Sequence, residues 1–299
     1  MRVRRSAVLG FCMGVRRAMD MADAALSRAG TVCAMGSLIH NPQAMEALKR
    51  RGLEVLGEEK IPDAISGASV VIRAHGVSPE IETILTRRGA KVLDATCPKV
   101  KASQITAREL LRLGRRVFLA GERRHAEIIG ILGYAPDCVI VGSPAEAAAA
   151  AEKLRRETGA EASGALKTAL IGQTTWDLAE YASIAEAIRA YFPDLEVCNT
   201  VCGATEARQD SLRVLCAEVD AVIVAGGRES ANTRRLLDIA RSFPGPEGRG
   251  KPAWLVETPA EIPGEIDRYD TVGLCAGAST PDALIDAIER ALVERAAGP

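Results

Sequence analysis

Short apolar runs with small, polar tips recur three times in this chain in the same order, and that recurrence limits the fold more than any single motif does. SAVLGFC (6–12), AKVLDATC (90–97) and DLEVCNTVC (194–202) each end on a cysteine ahead of a helical stretch. TVCAMGSLIHN, RRVFLAGERRHAE and DAVIVAGGRESANT form a second set, and LEVLGEEKIPDAI, CVIVGSPAEAA and AWLVETPAEI a third. ASVVIRAHG, KTALIGQTTWD and DTVGLCAGAST close the series. Segments of helical period lie between the runs. VRRAMDMADAALSRAG puts Val15, Ala18, Met19, Ala22, Ala25, Leu26 and Ala29 on one face before Gly30 stops it, and PQAMEALKRRG and AEAAAAAEKLRRE read as further helices. Strand runs alternating with helices call for parallel sheet. The expected class is therefore α/β, as three pseudo-repeated domains with small, mostly parallel sheets, divided at 1–97, 98–198 and 199–299.

Composition excludes more than it selects. A chain of 299 residues exceeds what one hydrophobic core usually supports. The net charge of -1 argues against a general nucleic-acid or membrane binder, and 3% aromatics disfavour a base-stacking platform. No apolar run is long enough to span a bilayer, and MRVRRSAVLGFCMGVRRAMD turns charged too soon for a signal peptide, so a cytoplasmic protein is expected. In that reducing compartment eight cysteines point to metal, catalysis or burial rather than disulfides. FPGPEGRGKP (243–252) reads as a surface turn cluster.

In parallel α/β folds ligands sit at the carboxyl ends of the strands. If three such units face one another, their polar tips form one set: Cys12, Cys97, Cys202, His40, His75, His125, Glu127, Thr174, Thr175, Ser230, Asn232 and Ser279. That set contains every histidine in the chain. Imidazoles, hydroxyls and an amide with few tip lysines or arginines suit a pocket that hydrogen-bonds a phosphate or diphosphate. The plainer alternative makes the hydroxyls N-caps of the helices that follow, and both can hold at once.

Three equivalent cysteines without a fourth fit structural zinc poorly, since no C-x-x-C pair occurs. A [4Fe-4S] cluster on three thiolates would leave one iron open for substrate. Cys33 and Cys275 lie inside strand runs, Cys138 begins one and Cys216 lies in a helical stretch. Cys198 competes with Cys202 as the third ligand, although it falls within the strand and not at its tip.

GFCMGVRRA, HNP, AHGVS, DATCP, HAE, GQTT, CGATEARQ, GGRESAN and AGASTPD, in this order from residue 10 to about 282, resemble the 4-hydroxy-3-methylbut-2-enyl diphosphate reductase family of the methylerythritol phosphate route to isoprenoids. The resemblance implies three α/β domains around a central iron–sulfur site, a [4Fe-4S] cluster on Cys12, Cys97 and Cys202, and diphosphate and substrate binding by His40, His75, His125, Thr174, Ser230, Asn232 and Ser279. It puts the proton-relay carboxylate at Glu127, with Thr174 and His125 as catalytic companions. Glu127 would protonate the departing hydroxyl of an allylic diphosphate during a two-electron reductive dehydroxylation that yields isopentenyl and dimethylallyl diphosphates. As a plain first-turn glutamate, it would merely answer the helix dipole. A reduced ferredoxin- or flavodoxin-type donor would be the electron source, with no nucleic acid or membrane partner; the oligomeric state stays open, a monomer included. The chain departs from the family pattern at Ala231, where a second serine is usual, and at Glu206 and Ala207. A quinolinate-synthase-like dehydratase would also use three repeats and three cysteines, but it does not require HNP, AHG and GQTT. A non-enzymatic iron–sulfur sensor would leave the histidines and hydroxyls unexplained.

Overall fold

The computed structural model describes residues 1–28, 30–159, 166–245 and 250–297. Its strands pair in parallel in three four-stranded sheets. The first joins β2 (Val32–Met35), β3 (Leu53–Leu56), β4 (Ser69–Ile72) and β5 (Lys91–Asp94) in the order β3-β2-β4-β5. The second joins β6 (Arg116–Ala120), β7 (Val139–Val141), β8 (Thr168–Gly172) and β9 (Glu196–Val197) in the order β7-β6-β8-β9. The third joins β10 (Ala221–Ala225), β11 (Ala253–Val256) and β12 (Thr271–Ala276) to β1 (Arg2–Arg5), in the order β11-β10-β12-β1. One strand order thus occurs three times, as the repeated runs predict.

The helices are α1 (Met13–Leu26), α2 (Pro42–Arg50), α3 (Pro79–Arg87), α4 (Pro98–Arg112), α5 (Ala126–Tyr134), α6 (Pro144–Thr158), α7 (Leu178–Arg189), α8 (Gly203–Glu218), α9 (Ala231–Ser242) and α10 (Asp282–Ala297). None is long and apolar enough to cross a membrane. Ala29, expected on the apolar face of α1, and residues 246–249 of the expected turn cluster lie outside the described residues; the rest of that cluster forms an antiparallel bridge between Pro244 and Gly250.

The cysteine runs behave differently from the sequence reading. The strands before Cys97 and Cys202 are β5 and β9, the last strands of the first and second sheets, and do not open new ones. SAVLGFC is not a strand; the charged residues Arg2–Arg5 form β1 and complete the third sheet. The ladder ends at Ser6, whose N–H donates to Leu274 O at 2.9 Å, and Gly10 then turns the chain with φ +78. That left-handed conformation suits glycine, and a Cβ there would also lie 2.5 Å from Asp282 Oδ1.

Two compact units emerge, residues 1–16, 39–51 and 203–299 in one and residues 17–38 and 52–202 in the other. In the first, alternate residues of β10 feed two cores. Ala221, Ile223 and Ala225 meet Ile285, Ile288 and Leu292 of α10, while Val222 and Val224 meet Leu212 and Leu215 of α8 and Leu236 of α9. In the second unit, Phe118 and Ala120 pack with Tyr181, Ile184 and Ile188 of α7, and Val117 and Leu119 with Leu110 of α4 and Ile128 and Ile131 of α5. Cys33 and Met35 of β2 pack with Val70, Ile72 and Leu85. Burial of each large aliphatic side chain contributes ~1.5–3 kcal/mol, and cover on both faces explains why these strands read as continuous apolar runs.

One close approach sets the position of α5. Gly133 lies so near the turn that caps α3 that a Cβ would overlap the Ser78 side chain and come within 2.9 Å of Ser78 Cα. We expect Gly133→Ala to destabilise the fold by ~1–3 kcal/mol, read as a lower urea midpoint. An unchanged midpoint would mean that the Ser78 turn yields freely.

Candidate functional site

The three tip cysteines occupy one structural position. Cys12 immediately precedes α1, Cys97 is the N-cap residue of α4, and Cys202 immediately precedes α8. In each case the cysteine N–H donates to the carbonyl two residues beyond the end of a neighbouring strand: Cys12 to Ala278 after β12 at 3.1 Å, Cys97 to Ala74 after β4 at 2.9 Å, and Cys202 to Thr174 after β8 at 2.9 Å. Cys198 lacks this relation, because its N–H continues the ladder of the second sheet to Leu170 O at 2.9 Å.

The remaining cysteines are held as thiols. Burial pushes Cys138 up to about 12 and Cys216 and Cys275 up to about 11, and it also raises Cys33. Burial raises Cys198 too, with the Glu196 carboxylate adding to the effect. Cys12, Cys97 and Cys202 are half-buried, as is Cys198.

In the unit of residues 17–38 and 52–202, contacts run in sequence from one tip to the next. Ala74, which accepts from Cys97, precedes His75, and the His75 ring stands edge-on to that of His125 with centroids 5.4 Å apart. His125 caps α5, its Nδ1 accepting from Glu127 N at 3.2 Å. Glu127 in turn is bound by Thr174, whose N–H reaches Oε1 at 2.7 Å and whose hydroxyl reaches Oε2 at 2.8 Å. Thr174 O then receives Cys202 N–H.

Glu127 is 1% exposed, and burial raises its carboxyl to about 7 against the opposing pull of the two Thr174 bonds. A helix-dipole role would hold it low and wet, so its burial and its bonds away from α5 count against that alternative. Thr174 is no N-cap; the cap of α7 is Asp177. Thr175 is half-buried and receives a bond from Gln173 Nε2 at 2.8 Å.

Gln173 went unmarked in the sequence reading. Fully buried in the same GQTT run, it also accepts Glu122 N–H at 3.0 Å and so fixes the loop that leads to His125. Its place in a run of tip residues was the available signal.

In the other unit, Cys12, His40, Ser230, Asn232 and Ser279 gather around the end of the third sheet. Cys12 N–H is bonded beside Ser279, whose hydroxyl lies 3.3 Å from His40 O and 3.5 Å from Ser230 Oγ. Ser230 does cap its helix, accepting from Thr233 N at 3.3 Å, so the N-cap reading holds for it. Gly227 has no side chain where a Cβ would strike His40 O, which lets the third sheet's tip approach the start of α2. Asn232 is 4% exposed, and its Nδ2 donor is buried without a partner among the described residues. A buried unpaired donor costs ~1–3 kcal/mol unless a ligand or water takes it. Ala231 is buried beside it and brings no hydroxyl.

Comparison with known proteins gives this arrangement a family. Residues 3–293 match the model described as LytB protein. The 4-hydroxy-3-methylbut-2-enyl diphosphate reductase of Treponema denticola is 42% identical over 98% of this chain and 99% of its own, and the enzyme of the same name from Aquifex aeolicus is 36% identical over 95% and 93%. Among solved structures, that of the E-1-hydroxy-2-methyl-but-2-enyl-4-diphosphate reductase from Plasmodium falciparum superposes with TM-score 0.87 at 25% identity, covering 98% of this chain and 88% of that one. A structure of (E)-4-hydroxy-3-methyl-but-2-enyl diphosphate reductase, titled the terminal enzyme of the non-mevalonate pathway, matches with TM-score 0.68 at 35% identity over 98% of this chain and all of that one. With a match that runs from β1 into α10, the chain belongs to the LytB family of 4-hydroxy-3-methylbut-2-enyl diphosphate reductases, which are oxidoreductases.

Proposed function

We propose that the chain removes the C4 hydroxyl of 4-hydroxy-3-methylbut-2-enyl diphosphate with two electrons and two protons, releasing water and giving isopentenyl and dimethylallyl diphosphates. The observation that carries this reading is Glu127, a fully buried carboxyl that keeps its proton up to about 7 and sits between a histidine tip and a threonine tip. Hydroxide leaves poorly. A nearby acid that is still protonated at neutral pH supplies what the departing oxygen needs.

Cys12, Cys97 and Cys202 would hold a [4Fe-4S] cluster. The donor set fits: three half-buried sulfurs in one repeated setting, each at the start of a helix where negative charge is favoured, with the other five thiols held protonated. Bound there, the cluster would supply the electrons and a Lewis-acidic iron for the substrate oxygen. The chain's own residues do the rest. Thr174 orients Glu127, while His75 and His125 offer donors on one unit and His40, Ser230, Asn232 and Ser279 on the other. Such donors suit a diphosphate, each bond to its charge being worth ~1.5–3 kcal/mol. Ala231 leaves that shell one hydroxyl short. The electrons would come from a reduced ferredoxin- or flavodoxin-type protein in the cytoplasm.

Turnover of the allylic diphosphate by anaerobically reconstituted protein with a reduced viologen tests the proposal. Serine at Cys12, Cys97 or Cys202 should abolish the visible iron–sulfur absorption, and serine at Cys33, Cys138, Cys198, Cys216 or Cys275 should leave it. Loss at Cys198 with retention at Cys202 would reverse the assignment of the third ligand.

Glu127→Gln should keep the cluster absorption and bind substrate nearly as well, yet turn over at least about 100-fold more slowly. The parent's kcat should fall above pH of about 7 as the proton is lost, with a flat profile in the variant. A variant with a full cluster and a rate within a few-fold of the parent would remove Glu127 from proton delivery.

The same group leaves a stability signature. Its carboxyl is raised from 4.5 to about 7 on folding, so its contribution is complete below pH 4.5 and is lost as pH rises through about 7. Relative to Glu127→Gln, the parent should lose about 3 kcal/mol across that window in urea titrations, at ~1.36 kcal/mol per unit. Parallel pH profiles for the two proteins would contradict the buried, proton-holding state.

A further inference from the structure

Two arginines bind the chain leading into two of the candidate cysteines, and neither has an acidic partner among the described residues. Arg208, six residues after Cys202 on α8, is 2% exposed. Its Nη2 donates to Gly10 O and its Nη1 to Ala276 O, each at 3.0 Å, which ties the turn before Cys12 to the end of β12. Arg17, five residues after Cys12 on α1, is half-buried and repeats the device, with Nη2 to Asp94 O at 3.0 Å and Nη1 to Thr96 O at 3.1 Å, in the loop before Cys97. Among the described residues no carboxylate forms an ion pair with either, and Arg208 Nε is buried without a partner.

Holding such a loop does not require a cation. The equivalent stretch before Cys202 is fixed by Thr200, whose hydroxyl donates to Gly172 O at 2.6 Å and accepts Gly172 N–H at 2.7 Å. A buried guanidinium without a counter-charge is strongly disfavoured, so its retention calls for a nearby negative charge, which no carboxylate among the described residues supplies. Burial does lower Arg208, and the sulfurs of Cys275 and Cys12 are the groups that offset it. Cys275 stays a neutral thiol, raised to about 11, whereas a ligating Cys12 is a thiolate.

We propose that Arg208 and Arg17 are positioning residues that hold the Cys12 and Cys97 loops and supply the positive charge that balances the ligating thiolates, Arg208 most strongly because it is buried. The proposal rests on the cluster assignment above. Removing the charge makes adding an electron harder, and the effect is larger where the effective dielectric is low.

The test is the midpoint potential of the cluster in full-length, anaerobically reconstituted protein, followed by visible absorption and electron paramagnetic resonance. Arg208→Gln should displace the reduction equilibrium about tenfold toward the oxidised cluster, equivalent to ~59 mV for one electron. Arg17→Gln should move it the same way by less. Arg208→Lys keeps the charge but not the two-pronged grip, so it should stay within about twofold of the parent while losing iron to a chelator several-fold faster. Arg208→Gln with a full cluster at the parent's potential overturns the proposal, as does Arg208→Lys displaced as far as Arg208→Gln. Should Arg208→Gln fail to fold by circular dichroism, Arg17→Gln carries the test, and its parent-like potential would overturn the idea. A parent that takes up no cluster removes the functional reading and this inference together; a loaded parent with unmoved variants removes this inference alone.

Discussion

The parallel ladder is the constraint from which the candidate site follows. Every strand of a parallel sheet ends on the same side, and each must be followed by a crossover that starts there. A chain that repeats one strand order three times therefore repeats one set of tips. The amides of Cys12, Cys97 and Cys202 all find the carbonyl two residues past the fourth-set strand of their own sheet, at Ala278, Ala74 and Thr174. The next residues along are Ser279, His75 and Thr175. The backbone thus sets equivalent positions, and side-chain chemistry then diverges among them.

Thr174 shows how tightly the acid is tied to that backbone. Its carbonyl anchors Cys202, while its amide and hydroxyl both bind Glu127. Bonds of this kind to a charged group are worth ~1.5–3 kcal/mol each and favour the carboxylate. Burial still prevails, leaving the carboxyl near 7 rather than at its ordinary 4.5. The protonated and ionised forms are therefore nearly balanced at neutral pH, which is the condition under which one group can give up a proton and regain it. A drier pocket without Thr174 would hold the proton too firmly, and an exposed glutamate would never carry it.

Much of this was legible in the sequence because core strands covered on both faces are apolar throughout. AVIVA, FLA, ALIG and VVI declare themselves as strands, and the polar residues just beyond them declare the tips. The edge strand β1 was not legible. RVRR is charged because an edge needs cover on fewer sides, and its arginines reach acidic groups: Arg4 pairs with Glu218 at 2.5 Å and Arg5 with Asp286 at 2.7 Å. SAVLG looked like the strand instead, since periodicity cannot sense the turn that Gly10 makes. Cys198 and Cys202 could be ranked from the sequence. The hydrogen-bond register, which no sequence pattern displays, puts them in different backbone settings, since Cys198 N–H meets Leu170 O within the ladder and Cys202 N–H meets Thr174 O beyond it.

Arg208 marks the boundary of such reading. An arginine in a mixed helical segment such as TEARQDSLR is expected at the surface, where it gives up no hydration. Here it is buried with Thr205, Gln209 and Leu212 on the inner face of α8. The side chain's length carries the charge to the carbonyls of Gly10 and Ala276, residues far away in sequence. No local pattern encodes that pairing, since both carbonyls lie on elements distant from α8 in sequence. The polar groups hardest to read from sequence are thus those whose burial is justified by a partner outside their own element, and Glu127, bound by Thr174, belongs with Arg208 in that respect.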